Sequence, residues 1–262
     1  MSTAPIPLTE TSFDKLPVAI YTDTEAMGRA AAVDARDIIA GAIRERGEAN
    51  VILATGNSQL AFLQALRDMD GIDWPKVRVF HMDEYIGIDP SHPASFPGFL
   101  LKHILGQVDV GHFHPVSGDP ADPEATCREY DALLRQYPAD MVAMGFGENG
   151  HIAFNDPPYA LFDDPHWVKI IELAEASRRQ QVGEGHFASL EEVPTHAITL
   201  TIPALLAPAN ILCIVPEARK SAAVKACLTE PVDESRPGSV LRTVDHARLY
   251  LDPDSASELN LA

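Results

Sequence analysis

Met27, Ala31, Ala35, Ile38 and Ala42 recur at helical spacing within 22–47, where Thr22, Asp23 or Thr24 can cap the start and Gly47 the end. The pattern predicts an amphipathic helix. A short apolar run, Asn50-Val51-Ile52-Leu53-Ala54, then stops at Thr55-Gly56-Asn57-Ser58, after which Leu60, Leu63 and Leu66 resume helical spacing. That is a strand, a turn and a helix. The alternation continues with strands expected at 77–80 and 141–144, helices at 94–105 and 124–136, strands at 168–173, 197–201, 211–215 and 248–251, and a helix at 217–228. Apolar strands alternating with helices predict an α/β protein of three αβα layers, with a Rossmann-like, mostly parallel sheet covered on both faces. Neither an internal repeat nor a linker interrupts the pattern, so 1–262 is expected to be a single domain. Ligands in such sheets sit at the carboxyl ends of the strands. The turns that follow strands therefore carry the candidate chemistry.

Composition narrows the partners. The 262 residues are 46% hydrophobic and carry 20 Lys plus Arg against 38 Asp plus Glu, a net charge of -18. This is an ordinary globular composition, which excludes disorder over most of the chain. A charge of that sign repels a nucleic-acid backbone, so no nucleic-acid partner is expected. No run of 18 apolar residues occurs, and Met1 to Leu16 has neither the basic nor the apolar region of a secretion signal, so the expectation is a cytoplasmic protein with no membrane partner. Cys127, Cys213 and Cys227 are an odd number without close spacing and read as reduced core thiols.

Four turns stand out. Thr55-Gly56-Asn57-Ser58 offers backbone N–H groups and hydroxyls to an anion, or simply caps the next helix. Phe80-His81-Met82-Asp83-Glu84-Tyr85 places adjacent carboxylates where a strand ends. One of them can enter a cleft as a general base while the other anchors the loop, unless both belong to a solvated acidic loop. Gly145-Phe146-Gly147-Glu148-Asn149-Gly150-His151 gathers three glycines before a histidine, and Asp156 follows closely enough to orient the imidazole. Arg219 and Lys220 fall in the first turn of the 217–228 helix, where cations oppose the macrodipole; a bound anion reverses that sign, as Glu217 does in part. His112 and His114 alternate near Asp109 but lack a third ligand at a recognisable spacing, so an edge strand is the plainer account and no metal site is expected.

Together these pieces resemble the glucosamine-6-phosphate deaminase family, which shares its fold with 6-phosphogluconolactonase. The resemblance spans nearly the whole chain. It rests on Leu53-Ala54-Thr55-Gly56, His81-Met82-Asp83-Glu84-Tyr85-Ile86-Gly87, His92-Pro93-Ala94-Ser95-Phe96, Gly145-Phe146-Gly147 with Gly150-His151-Ile152-Ala153-Phe154-Asn155, and the Lys220 segment. It implies a cofactor-independent enzyme of amino-sugar catabolism that opens the ring of a 2-amino-2-deoxy sugar phosphate, moves a proton between C2 and C1, and releases ammonia. The implied roles make Asp83 the base, His151 the ring-opening acid/base and Asp156 its carboxylate partner, with Glu84 and Asn149 in the catalytic group. Thr55, Gly56, Asn57, Ser58, Gly147, Lys220 and Arg178 would hold the substrate and its phosphate. The implied partner is a small-molecule sugar phosphate; a homo-oligomer stays open.

Asn149 stands where the family usually has Asp, and Asp156 stands where a longer Glu is usual. Both changes bear on the ring-opening step. Between Leu173 and Val193 no arginine aligns with the one the family sends to the phosphate, which leaves Arg178 or Arg179 to reach the site, or the pair Gln180 and Gln181 to bind a group other than a 6-phosphate. A sugar-lactone hydrolase and a non-catalytic sugar-phosphate effector domain are the alternatives. The first is set apart by Asp83-Glu84-Tyr85 and the second by the lack of a basic helix-turn-helix before Val51.

Overall fold

In the computed structural model, which describes residues 4–183 and 185–260, an N-terminal hairpin of β1 (Thr9–Phe13) and β2 (Leu16–Ile20) leads into the first helix. Asp23 caps that helix, α1 (Thr24–Arg46), by accepting from Ala26 N–H at 2.7 Å, and Gly47 closes it at φ 84°. The helix thus begins at one of the three predicted caps and ends at the predicted glycine. Next come β3 (Ala49–Leu53), α2 (Leu60–Arg67), β4 (Val77–His81), β5 (Asp83–Tyr85), α3 (Phe96–His103), β6 (His112–His114) and α4 (Pro123–Gln136). The remaining elements are β7 (Met141–Met144), β8 (Val168–Glu172), α5 (Glu175–Gly183), β9 (His196–Leu200), α6 (Ile202–Leu206), β10 (Ile211–Val215), α7 (Ser221–Thr229) and β11 (Ala247–Leu251).

Eight strands form the main sheet in the order β1-β2-β11-β10-β7-β3-β4-β6, and every neighbouring pair except β1/β2 is parallel. Both faces are buried. Val51, Leu53, Ala143 and Ile214 face one core with α1 and α2, while Ile52, Val142, Met144 and Cys213 face the other with α4, α6 and α7. This alternation by two makes the strands read as unbroken apolar runs, and it produces the predicted three-layer αβα architecture. Gly28 lets α1 approach α2 closely, since a Cβ there would lie 2.8 Å from the backbone of Ala61 and Phe62.

Two predicted strands lie elsewhere. β8 and β9 leave the main sheet and pair antiparallel with each other, and β9 pairs with β5 in a second, three-stranded sheet. Its register sets Asp83 opposite Thr199 and Glu84 opposite Ile198. The predicted 217–228 helix also divides: 218–220 form a tight 3-10 turn and α7 starts at Ser221, so Lys220 occupies the N-cap position. The three cysteines are buried and unbridged. Among the described residues, no helix is long and apolar enough to cross a membrane, and no three His, Cys, Asp or Glu side chains stand together as a metal site. His112 and His114 lie on the sheet's edge strand, and the His114 ring stacks on Phe80 at 4.9 Å.

Candidate active site

The carboxyl ends of β3, β4, β7 and β10 open on one cleft of about 150 Å³. Thr55, Gly56, Asn57, Ser58, Asp83, Gly147, His151 and Lys220 all line it. Residues 165 positions apart in sequence therefore meet because parallel strands deliver their following turns to the same edge.

Asp83 and Glu84 separate as alternation along a strand requires. The Asp83 carboxyl lines the cleft and has no hydrogen-bond partner among the described residues. Burial, reinforced by the neighbouring Glu84 charge, pushes it up to about 8. Glu84 turns away from the cleft: its carboxylate accepts from Tyr85 N–H at 2.9 Å, the Ser95 hydroxyl at 2.9 Å and Phe96 N–H at 3.1 Å. Burial pushes Glu84 to about 7 against these three donors, which favour the anion. Its expected place in the catalytic group is thus corrected. Glu84 fastens β5 to the start of α3, whose Phe96 and Phe99 wall the cleft. His81 is equally structural, since its buried ring accepts from Val116 N–H at 2.7 Å and burial lowers it to about 3.

His151 is held on one side only. Its Nδ1 lies 2.7 Å from Asn149 Oδ1 and 3.1 Å from Asp156 Oδ1. Two oxygens around Nδ1 require the proton there, which leaves Nε2 as the exchanging nitrogen. Asn149 also donates through Nδ2 to Asp156 at 2.6 Å, and Ser177 donates to the other Asp156 oxygen at 2.7 Å. Burial raises Asp156, but the contacts with His151, Asn149 and Ser177 outweigh it and hold the carboxyl well below its ordinary range. Asn149 is therefore a bridge between histidine and carboxylate, although it cannot ionise. Gly147 sits beneath this assembly: a Cβ there would come within 2.0 Å of the imidazole. The glycine makes room for His151 in the cleft that the Thr55–Ser58 turn also lines.

The Thr55–Ser58 turn and Lys220, which is 4% exposed, line the same cleft. Arg219 also lines the cleft and pairs with Glu217 at 2.5 Å and Glu148 at 3.4 Å. Glu148 thus pairs with Arg219, and among the described residues no hydrogen bond or ion pair joins it to His151. Arg178 is a correction: it is absent from the cleft lining, and its guanidinium donates to Leu190 O at 2.6 Å and Val193 O at 2.9 Å, bracing the chain after α5. Arg179 is exposed and pairs with Glu175. Of the glutamine pair, Gln181 lines the cleft, and the Gln180 side chain lies outside the described residues. Sequence reasoning missed His186, Gln59 and Phe99, and it quoted Phe96 and Phe154 within motifs without giving them a place in the site. Their placement in the cleft wall comes from packing between distant segments.

A family model described as glucosamine-6-phosphate isomerases/6-phosphogluconolactonase matches residues 22–250. A glucosamine-6-phosphate deaminase of Exiguobacterium sibiricum is 34% identical over 208 residues, covering 79% of this chain and 80% of that protein. One from an Arthrobacter strain is 30% identical over 251 residues, covering 94% and 93%. Among solved structures, a monomeric glucosamine-6-phosphate deaminase superposes with a TM-score of 0.83 at 25% identity, covering 92% of this chain and 98% of that one. A 6-phosphogluconolactonase from Trypanosoma brucei reaches 0.77 at 17% identity, covering 95% and 100%, which shows a common fold.

Proposed function

Because the chain belongs to the glucosamine-6-phosphate isomerase/6-phosphogluconolactonase family, we propose that it is a deaminating isomerase that converts glucosamine-6-phosphate or a close analogue, with water, to the ketose phosphate and ammonia. The observation that carries this reading is the convergence of Asp83, His151 and Lys220 on one cleft, with the imidazole oriented by Asn149 and Asp156.

Lys220 and the Thr55–Ser58 turn hold the phosphate, using a fixed cation, hydroxyls and backbone donors. His151 Nε2 relays the proton between the anomeric hydroxyl and the ring oxygen, which opens the sugar. Asp83, once ionised, takes the proton from C2 and returns it at C1. The imine left at C2 adds water, and ammonia departs. Every step runs on groups present in the cleft, and the wall of Phe96, Phe99 and Phe154 limits the water around the carbanion-like stage.

Ammonia release separates this reading from its alternatives. With glucosamine-6-phosphate, galactosamine-6-phosphate and the two unphosphorylated sugars, ammonia is expected from a phosphorylated amino sugar and not from the free sugars. Hydrolysis of a sugar-phosphate lactone without any ammonia release would replace the deaminase by a lactonase; binding without turnover would leave an effector domain. Lys220→Ala tests the phosphate end: the KM for the phosphorylated substrate should rise about 10- to 100-fold, the scale of losing a charged hydrogen bond. An equal rise for an unphosphorylated analogue would move the phosphate elsewhere.

A further inference from the structure

Gln59 follows the Thr55–Ser58 turn, is 1% exposed and lines the cleft. Its Nε2 donates to Ile214 O at 3.2 Å and to Ser58 Oγ at 3.3 Å. The reverse amide orientation would set an oxygen against the Ile214 carbonyl, so the network fixes which atom is which. Two consequences follow. The side chain is a strut between the turn after β3 and the end of β10, the strand that leads to Lys220. Ser58 Oγ, already accepting from Gln59, keeps its own hydrogen to donate to a ligand.

Gln59 Oε1, by contrast, is buried with no hydrogen-bond partner. A buried amide oxygen without a donor is costly, and native chains keep few of them. The amide cannot turn over without losing the Ile214 contact, and a Cβ at neighbouring Gly145 would already lie 3.0 Å from Nε2, so the packing leaves little slack on that side. Gln59 lines the cleft, so a ligand bound there can supply the missing donor.

Resting on the deaminating-isomerase reading, we infer that Gln59 is a specificity-determining residue: its Oε1 accepts a hydrogen bond from a hydroxyl of the substrate's carbon chain near the phosphate, while its Nε2 aims the Ser58 hydroxyl at the anion. The ligand chemistry it selects is a phosphorylated polyol, as opposed to a bare or alkyl phosphate. Small side-chain adjustments are ordinary on binding, and the proposed contact requires one that opens Oε1 to that hydroxyl while Nε2 keeps Ile214 O.

The test is calorimetric binding of three probes, inorganic phosphate, hexyl phosphate and glucosamine-6-phosphate, in an Asp83→Asn background where turnover is slowed about a thousandfold. Gln59→Met keeps the length and removes both hydrogen-bonding atoms. It should weaken all three probes severalfold through Ser58 and weaken glucosamine-6-phosphate about a further tenfold, the scale of one hydrogen bond with a buried partner. Gln59→Glu keeps an acceptor oxygen but cannot donate to Ile214 O or Ser58. It should therefore preserve the preference for the sugar phosphate over hexyl phosphate while weakening inorganic phosphate. Equal losses for all three probes in both variants, with melting temperatures near the parent's, would overturn the inference, as would unchanged affinities. A chain with native Asp83 that releases no ammonia, yet shows the sugar-specific loss on Gln59→Met, would sink the deaminase reading and leave the Gln59 assignment standing.

Discussion

Asp83→Asn lowers kcat by about a thousandfold, leaves sugar-phosphate binding nearly intact and makes the protein harder to unfold at alkaline pH. The rate loss follows from removing the only carboxyl group that lines the cleft among the described residues, since a positioned general base contributes about 10²- to 10⁴-fold. The stability gain follows from burial. Asp83 is held up at about 8 by desolvation and by the Glu84 charge, against an ordinary value of 3.8. Between those two values the folded chain keeps a proton that the unfolded chain has lost. Stability that is fully present below pH 3.8 therefore drains away as pH rises towards 8, by up to about 1.4 kcal/mol for each pH unit. Asparagine carries no such penalty. The difference in melting temperature between variant and parent should accordingly grow from pH 5 to pH 8 and then level off. The same displacement predicts that kcat/KM of the native chain falls as pH drops below about 8, because the base must first ionise. Thermal melts and pH–rate profiles check both halves, and a variant retaining more than a tenth of parental kcat would remove Asp83 from the role of base.

The parts of this design that were legible in the sequence are those that local chemistry determines. Asp23 and Gly47 bound α1 because a cap and a left-handed residue act within one turn. Mostly apolar runs marked β3, β4, β7, β10 and β11, because strands buried on both faces leave few polar positions, such as Asn50, Arg78 and Arg248. Other features depended on partners far along the chain. β1 is a half-exposed edge strand with weak alternation, and β5 spans three residues whose partner lies more than a hundred positions away. α5 is a polar helix without an apolar stripe; its place is fixed partly by Ser177, which reaches Asp156. The candidate site divides the same way. Asp83, His151 and Lys220 were visible as side chains in turns after strands. The distinction between Asp83 and Glu84 came from Ser95 and Phe96, and that between Arg178 and the cleft came from the carbonyls of Leu190 and Val193. Gln59 was hidden because a glutamine next to a capping serine looks like ordinary helix-start polarity. Only the position of Ile214 O gives its amide a direction.

Asp156→Asn should slow turnover about a hundredfold by removing the one charge that orients His151. Among the described residues the histidine relay has a single ionisable partner, with Asn149 inserted as a neutral bridge that donates to Asp156 at 2.6 Å and accepts from the ring at 2.7 Å. Losing that charge leaves the imidazolium formed during ring opening without its counter-ion, as well as relaxing the tautomer. Because the carboxyl of Asp156 is held below its ordinary range, it stabilises the fold above pH 3.8 and that contribution is lost as pH falls through its depressed value. The variant is thus less stable than the parent near neutrality, and the two converge in strong acid. Stability alone does not identify the affected step, but deuterium at C2 does. If Asp156 serves ring opening, its removal makes that step limiting and the isotope effect on kcat shrinks towards unity. A slow variant with an undiminished isotope effect would place Asp156 in the proton transfer instead. The complementary change, Asn149→Asp, sets two carboxyl groups at hydrogen-bond distance, where they cannot both ionise near neutral pH and must share a proton. The faster ring opening expected from restoring an acid at 149 should therefore appear only on the alkaline side, once that proton leaves. A gain at pH 6 equal to the gain at pH 9 would show that the Asn149 bridge does not hold Asp156 as the geometry requires.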